Sequence, residues 1–502
     1  MSMVERTSTK QTKKLHVLCA TPECVPFVKT GGLADVAGAL PRALKRLGAR
    51  VSVILPKYSA IPWEYVSKME HIAEFYVPLS WRYEYCGLEK LRYKGVEYYF
   101  IDNEHYFKRD GIYGFFDDGE RFAFFSKAIC EAINYIGELR CDIIHCNDWQ
   151  TALVPVFLHE FYHEIPSCRN VRVTFTIHNL KFQGQFGDQM IGDVLGLAGK
   201  PNAVRQLYID RESINFMQAG LCYADRITTV SPSYAGEIQM PFYGEGLDGL
   251  LRRRSCIVRG ILNGIDVELW NPKNDKLIHS RYSIQDLSGK ARNKAHLQQE
   301  LGLDVDPTRP LIALIGRLTA QKGIGLVTYA MNYLMQRGVQ VVVLGTGEKE
   351  YEDSFRYFAA TYPRQVSACI TFDNALSHRI YAGADMFLMP SVFEPCGLSQ
   401  LISMRYGTIP VVRETGGLRD SVIPYNKYTQ EGTGFRFCNI NADEMTRILM
   451  DACELYWTDK RAWTELQKRA MRANFSWSRA AHEYLRVYLQ LCPEYTNIYV
   501  KR

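Results

Sequence analysis

The chain has 502 residues, too many for one ordinary hydrophobic core, so two or more domains are expected. A content of 47% hydrophobic and 23% charged residues excludes a disordered or fibrous chain. The net charge of +6 is small for this length; it suits anionic small molecules such as nucleotides and excludes a nucleic-acid-binding stripe.

No apolar run is long enough to span a membrane. The 12% aromatic content, with 31 tyrosines, suits carbohydrate stacking or ordinary core packing equally well. Fourteen cysteines are scattered without a CxxC pair, mostly in apolar runs such as those holding Cys130, Cys222, Cys369 and Cys453. They read as reduced thiols of a cytosolic protein, and a plastid would give the same pattern. Residues 1–14 carry four Lys or Arg and no apolar core, so they are not a secretory signal. They are expected to be a flexible extension, and a short organelle-targeting segment is compatible with them.

Strands are expected at 16–21, 51–56, 97–101, 143–145, 171–177 and 226–230. Helical patterns fall between them at 33–47, 120–136, 151–163 and 214–224. In the second half strands are expected at 257–262, 311–315, 340–344, 368–372, 386–389, 409–412 and 434–437, with helices at 325–337, 377–384, 398–406 and 442–456. Residues 271–294 are polar and read as a surface excursion. This alternation predicts α/β architecture, two doubly wound domains with parallel sheets and ligands at the carboxyl ends of the strands. The boundary is placed at 256/257, giving domains 15–256 and 257–475 and a C-terminal segment 476–502.

The first chemistry-bearing stretch is Lys29-Thr30-Gly31-Gly32-Leu33, between the first strand and a helix whose apolar stripe is Leu33, Val36, Ala37, Leu40 and Leu44. Adjacent glycines admit a ligand to the backbone, and a helix N-terminus offers N–H groups to an anion. Asn147-Asp148-Trp149 closes another strand, and Asp148 reads slightly better as an N-cap than as a functional group. His178 and Asn179 end the next strand and are expected in the same ligand-facing region. His159-Glu160-Phe161-Tyr162-His163 matches the HExxH zinc pattern, but Pro166 follows closely and no third ligand is evident, so no metal is expected.

In the second half, Arg317 and Lys322 lie in Gly-Arg-Leu-Thr-Ala-Gln-Lys-Gly, directly after a strand. A guanidinium and an ammonium there would stabilise a departing diphosphate. Residues 390–398, Pro-Ser-Val-Phe-Glu-Pro-Cys-Gly-Leu, follow another strand. Pro395 is expected to open a helix, with the N–H groups of Cys396, Gly397 and Leu398 free for sugar or phosphate and Glu394 accepting from hydroxyls. Thr415-Gly416-Gly417 repeats the glycine pair at a third strand-to-helix turn, where a plain tight turn and a phosphate contact are about equally weighted. Residues 343–347, Val-Leu-Gly-Thr-Gly, give only a weak nucleotide-loop signal.

Taken together, 29–33, 316–323, 393–398 and 415–418 resemble the bacterial glycogen synthases and plant starch synthases. The order and spacing match over about residues 16–488, and 178–179, 223–225, 262–264 and 475–477 match further blocks. The resemblance implies a GT-B fold, two Rossmann-like domains with the active site in the cleft between them and a last helix packed on the first domain. It implies transfer of glucose from ADP-glucose to the non-reducing end of an α-1,4-glucan with retention of configuration; UDP-glucose as donor stays open. By that resemblance Glu394, Arg317, Lys322 and His178 are catalytic. Lys29, Gly31, Gly32, Asp35, Asn263, Phe372, Cys396, Gly397, Leu398, Thr415 and Gly416 are donor-binding. No cofactor, nucleic acid or membrane partner is implied. Many related retaining transferases have a second Glu eight positions after the first; here that position is Ile402. A glucan phosphorylase, a nucleotide-sugar epimerase or hydrolase, and a non-catalytic glucan-binding relative are the rival readings.

Overall fold

A computed structural model describes residues 14–499; the expected extension 1–14 lies, apart from Lys14, outside the described residues. The described residues divide into two compact units, 14–227 with 481–499, and 228–480. One division falls within the strand Arg226–Thr229 and the other within the helix Trp477–Leu491, whereas the sequence placed its boundary at 256/257.

The first unit carries β1 (His16–Ala20), β2 (Arg50–Pro56), β3 (Glu70–Leu79), β4 (Arg82–Tyr93), β5 (Val96–Asp102), β6 (Ile143–Asn147) and β7 (Arg172–Ile177). They run in the order β7-β6-β1-β2-β5-β4-β3. Pairing is parallel from β7 to β5 and antiparallel in β5-β4-β3. Strand β1 is buried at every position because it has a strand on each side and helices over the sheet. The helix Gly32–Arg46 buries all five residues of its expected apolar stripe. Because β1 pairs with both β2 and β6, chain direction reverses at the β1/β6 boundary, where an open α/β sheet has its ligand crevice. The end of the chain belongs to this unit: the Tyr488 hydroxyl meets His145 Nδ1 on β6 at 2.7 Å. A small antiparallel pair, β8 (Gln185–Gly187) and β9 (Ser213–Asn215), lies outside the sheet.

The antiparallel arm β3-β4 was not expected. Its strands place aromatics on both faces: Phe75 is buried and Tyr76 exposed, and Tyr83 and Tyr85 are exposed beside buried Cys86. That composition hides a period of two.

Past β10 (Arg226–Thr229) and β11 (Val258–Gly260), the second unit forms a sheet of β12 (Leu311–Ile315), β13 (Gln340–Leu344), β14 (Val366–Cys369), β15 (Met386–Met389), β16 (Ile409–Arg413) and β17 (Phe435–Phe437). The order is β14-β13-β12-β15-β16-β17, parallel throughout. Its switch point is β12/β15. Unbroken apolar runs explain why β12, β13 and β15 have the bounds read from sequence. Strand β14 begins two residues before its expected start at 368, because Val366 pairs with Val341.

Residues 271–294 are not a simple surface excursion. The helix Ser288–Glu300 begins inside them, and Lys290 and Lys294 are buried. Lys294 Nζ pairs with the buried Asp385 carboxylate at 2.7 Å and donates to the Tyr456 hydroxyl at 2.8 Å. Lys290 Nζ donates to Thr408 Oγ1 at 2.7 Å and to the Ala382 carbonyl at 3.1 Å; burial lowers its pKa to about 7. Local polarity read as exposure because the partners are about 90 residues or more away in sequence. Lys294→Ala leaves the Asp385 charge buried without its counter-ion, and is expected to lower stability by about 3–5 kcal/mol in urea titration.

Candidate active site

In the first unit, the Lys29–Leu33 turn does not present an empty helix N-terminus. Glu23, buried just after β1, fills it. Its Oε2 accepts the Thr30 N–H at 2.6 Å and the Thr30 hydroxyl at 2.7 Å. Burial raises the Glu23 carboxyl above its usual range, while bonds from Thr30, Gly31 and Ala34 pull it down. Lys29 Nζ is bonded to both Asp35 oxygens at 2.8 Å, a half-exposed pair. Gly31 has an extended backbone, φ −152°, and a Cβ there would meet Glu23 Oε1 at an ordinary 3.7 Å. Neither strain nor crowding within the protein calls for glycine at 31.

Asp148, weighed in the sequence as an N-cap, makes no capping bond to the short helix Trp149–Thr151. It follows β6 with φ +57°, a left-handed conformation rare outside glycine. Its Oδ1 accepts the His178 N–H at 2.7 Å, tying β6 to β7 at the carboxyl edge. Burial raises its pKa to about 7, against backbone bonds from His178 and Asn179. His178 is likewise pushed down by burial, to about 3, with His145 adding to the effect, so it is neutral at physiological pH. Asn147 donates through Nδ2 to the Ala20 and His145 carbonyls, so its Oδ1 faces His178 Nε2, 2.8 Å away. His178 Nε2 therefore carries the hydrogen and Nδ1 is left as an acceptor. No feature of the sequence beyond strand-end position distinguishes Asp148; its burial is tertiary.

The HExxH helix presents His159 to solvent, and its Glu160 accepts the Tyr223 hydroxyl at 2.6 Å.

In the second unit the expected residues gather at the β12/β15 switch point. Lys322 Nζ pairs with Glu394 Oε2 at 2.6 Å, and Ser391 Oγ donates to the same oxygen at 3.0 Å. Arg317, next to the end of β12, is exposed and has no carboxylate within ion-pair distance among the described residues. Pro395 does not open a helix; the helix begins at Ser399, and 390–398 is a loop. The loop is folded by its carbonyls. Pro395 O accepts from Ser231 Oγ at 2.6 Å, and Gln400 Nε2 takes Cys396 O at 3.0 Å and Gly397 O at 2.9 Å. The N–H groups of Cys396, Gly397 and Leu398 have no backbone acceptor among the described residues. Gly397 sits at φ +71°, where a side chain would also strike Gln400.

Two supports were missed by sequence reading. Buried Arg413 donates through Nε to Ser391 O at 2.7 Å and through a second nitrogen to Val392 O, bracing the loop from β16. Glu237 accepts the Thr415 hydroxyl at 3.1 Å and the Gly416 N–H at 2.8 Å through one oxygen. Thr415 and Gly416 thus already hold an internal anion. Asn263 is buried and its Oδ1 has no partner among the described residues, leaving an acceptor for a hydroxyl. Phe372 lies beyond the end of β14 and is 85% exposed. Among the described residues no group of His, Cys, Asp and Glu is arranged to hold a metal, and no helix is long and apolar enough to cross a membrane.

Two doubly wound α/β units, with cations and open backbone amides at a strand switch point, define a glycosyltransferase of GT-B architecture. Residues 16–253 match the family model of the starch synthase catalytic domain, and 299–469 match that of glycosyl transferases group 1. A glycogen synthase of Clostridium novyi is 50% identical over 474 residues, covering 94% of this chain and 98% of that one. One from Geobacillus thermodenitrificans is 50% identical over 477 residues, covering 95% and 98%. The catalytic domain of starch synthase IV from Arabidopsis thaliana, bound to ADP and acarbose, superposes with a TM-score of 0.88 at 34% identity, covering 95% of this chain and 99% of that one. A sucrose-phosphate synthase of Thermosynechococcus elongatus, 18% identical with a TM-score of 0.58 over 96% of this chain and 100% of that one, shares the fold alone. The chain belongs to the glycogen and starch synthase family and is a glucosyltransferase.

The raised Asp148 pKa gives a pH signature. The folded state holds this proton up to about pH 7, while the unfolded chain releases it near the ordinary carboxylate value of 3.8. Folding is therefore favoured below that window and loses the contribution as pH rises through it. Thermal unfolding of Asp148→Asn is expected to lack this decline. The gap between variant and wild type should widen from pH 4 to 7 and stay constant above.

Proposed function

We propose that this chain transfers glucose from ADP-glucose to the non-reducing end of an α-1,4-glucan with retention of configuration. The observation that carries the reading is the Lys322–Glu394 pair beside three open N–H groups at a strand switch point. The amides of Cys396, Gly397 and Leu398, with Lys322 and Arg317, suit a diphosphate; Glu394 and the unpartnered Asn263 oxygen suit sugar hydroxyls. The starch synthase IV relative was captured with ADP, which favours an adenine nucleotide over a uridine one.

Retention normally suggests a carboxylate nucleophile. Glu394 is instead engaged by Lys322 and Ser391, an arrangement suited to recognising hydroxyls. In our reading the C1–O bond to the diphosphate breaks first, and Arg317 and Lys322 take up the negative charge that develops on the leaving oxygen. The acceptor hydroxyl attacks the oxocarbenium-like carbon from the same face and gives its proton to the departing phosphate. Neutral His178 offers an uncharged acceptor nitrogen for a sugar hydroxyl. Lys29 and Asp35 are assigned to the donor's phosphate side. Gly31 and Gly32 allow its close approach, which accounts for a glycine that the free protein does not demand. Phe372 is assigned to the base and, with Thr415 and Gly416 already bonded to Glu237, those two act by supporting the loop.

Labelled glucose from ADP-glucose, then from UDP-glucose, offered with glycogen tests the reading. Incorporation preferring ADP-glucose, falling roughly 10²–10³-fold in Lys322→Ala, is expected. Donor breakdown without incorporation would point to a hydrolase or epimerase. Glycogen binding with no turnover of either donor would point to a binding protein, and a pyridoxal absorbance band to a phosphorylase.

A further inference from the structure

Glu237 does not touch the region assigned to the donor, yet it holds the turn on which that region rests. It lies at the end of the helix Pro232–Glu237, in the same unit as the loop. One carboxylate oxygen accepts from both Thr415 Oγ1 and Gly416 N, while Oε2 is buried with no partner among the described residues. Gly416 has φ +43°, and a Cβ on it would run into the Glu394 carbonyl, so the turn packs directly against the backbone of the sugar-recognising residue. Gly417 N donates to that same carbonyl at 3.1 Å. Three more bonds from this helix region fix the neighbourhood. Ser231 Oγ takes Pro395 O, and Ser233 bonds both Asp420 oxygens, at 2.6 and 2.7 Å.

We propose that Glu237 is a positioning residue for the donor loop, acting through the Thr415-Gly416 turn to hold the Glu394–Leu398 backbone in its binding conformation. The proposal rests on the donor-site reading above. Only one oxygen is used, so shape rather than negative charge is what the turn requires. Burial and Asp420 oppose the charge, and Arg413 favours it. An amide oxygen can make both bonds, whereas a methyl group can make neither.

Steady-state kinetics with ADP-glucose and glycogen, together with ADP binding by calorimetry, test this on the full chain. Glu237→Ala is expected to raise the donor KM and the ADP Kd together, by roughly tenfold, with kcat and the glycogen KM within about twofold of wild type. Glu237→Gln is expected to restore both constants to within about twofold. Three results would overturn the proposal: donor constants unchanged in Glu237→Ala, Glu237→Gln as impaired as Glu237→Ala, or donor and glycogen constants disturbed alike. If Glu237→Ala does not fold, Thr415→Val removes one of the two bonds. A rise of about threefold in ADP Kd is then expected, and no rise overturns the proposal. Wild-type protein that binds ADP but transfers no glucose would defeat the synthase reading and leave the ADP measurements to decide the role of Glu237.

Discussion

The interaction on which both glycine-rich turns depend is a buried carboxylate bonded to a threonine and the backbone beside it. Glu23 meets Thr30 in the first unit; Glu237 meets Thr415 and Gly416 in the second. A turn that opens a helix leaves N–H groups without intrahelical partners, and burial makes an unmet donor costly. In both turns the chain supplies its own anion. The same bonds that satisfy the backbone also fix where Lys29 and Glu394 stand.

This changes where a diphosphate can be held. A Thr-Gly-Gly turn and the Pro-Cys-Gly-Leu loop have the same formal claim to an anion when read as sequence. Only in the second do the amides lack an acceptor among the described residues, while Ser231 and Gln400 bond its carbonyls. Positive charge follows the same division. Lys322 has a carboxylate partner and Arg317 has none among the described residues, so in the proposed reading a diphosphate would gain an unpaired guanidinium and compete with Glu394 only for the ammonium.

Buried polar groups of this kind set the character of the fold as well. Lys294 with Asp385, Arg413 with the Ser391 and Val392 carbonyls, and His178 with Asn147 each link segments that are distant in sequence. An ion or donor withdrawn from water is stable only when its partners are in place. Each link therefore admits one arrangement of the strands and loops it joins, which suits a site whose groups must be held to fractions of an ångström.

By itself the sequence determined the alternation of strands and helices, the parallel sheets and the loops that carry Arg317, Lys322, Glu394 and His178. These follow from local periodicity and from glycine and proline placement, which act over a few residues. It also marked the family through the spacing of four motifs. The tertiary structure decided which donors and acceptors remain open. It placed Asp148 in a half-buried position with positive φ, closed the two Thr-Gly-Gly turns with Glu23 and Glu237, buried Lys290 and Lys294, and paired the aromatic arm β3-β4 in antiparallel register. Each of these depends on a neighbour brought close by folding, and neither hydropathy nor spacing in one segment carries that information.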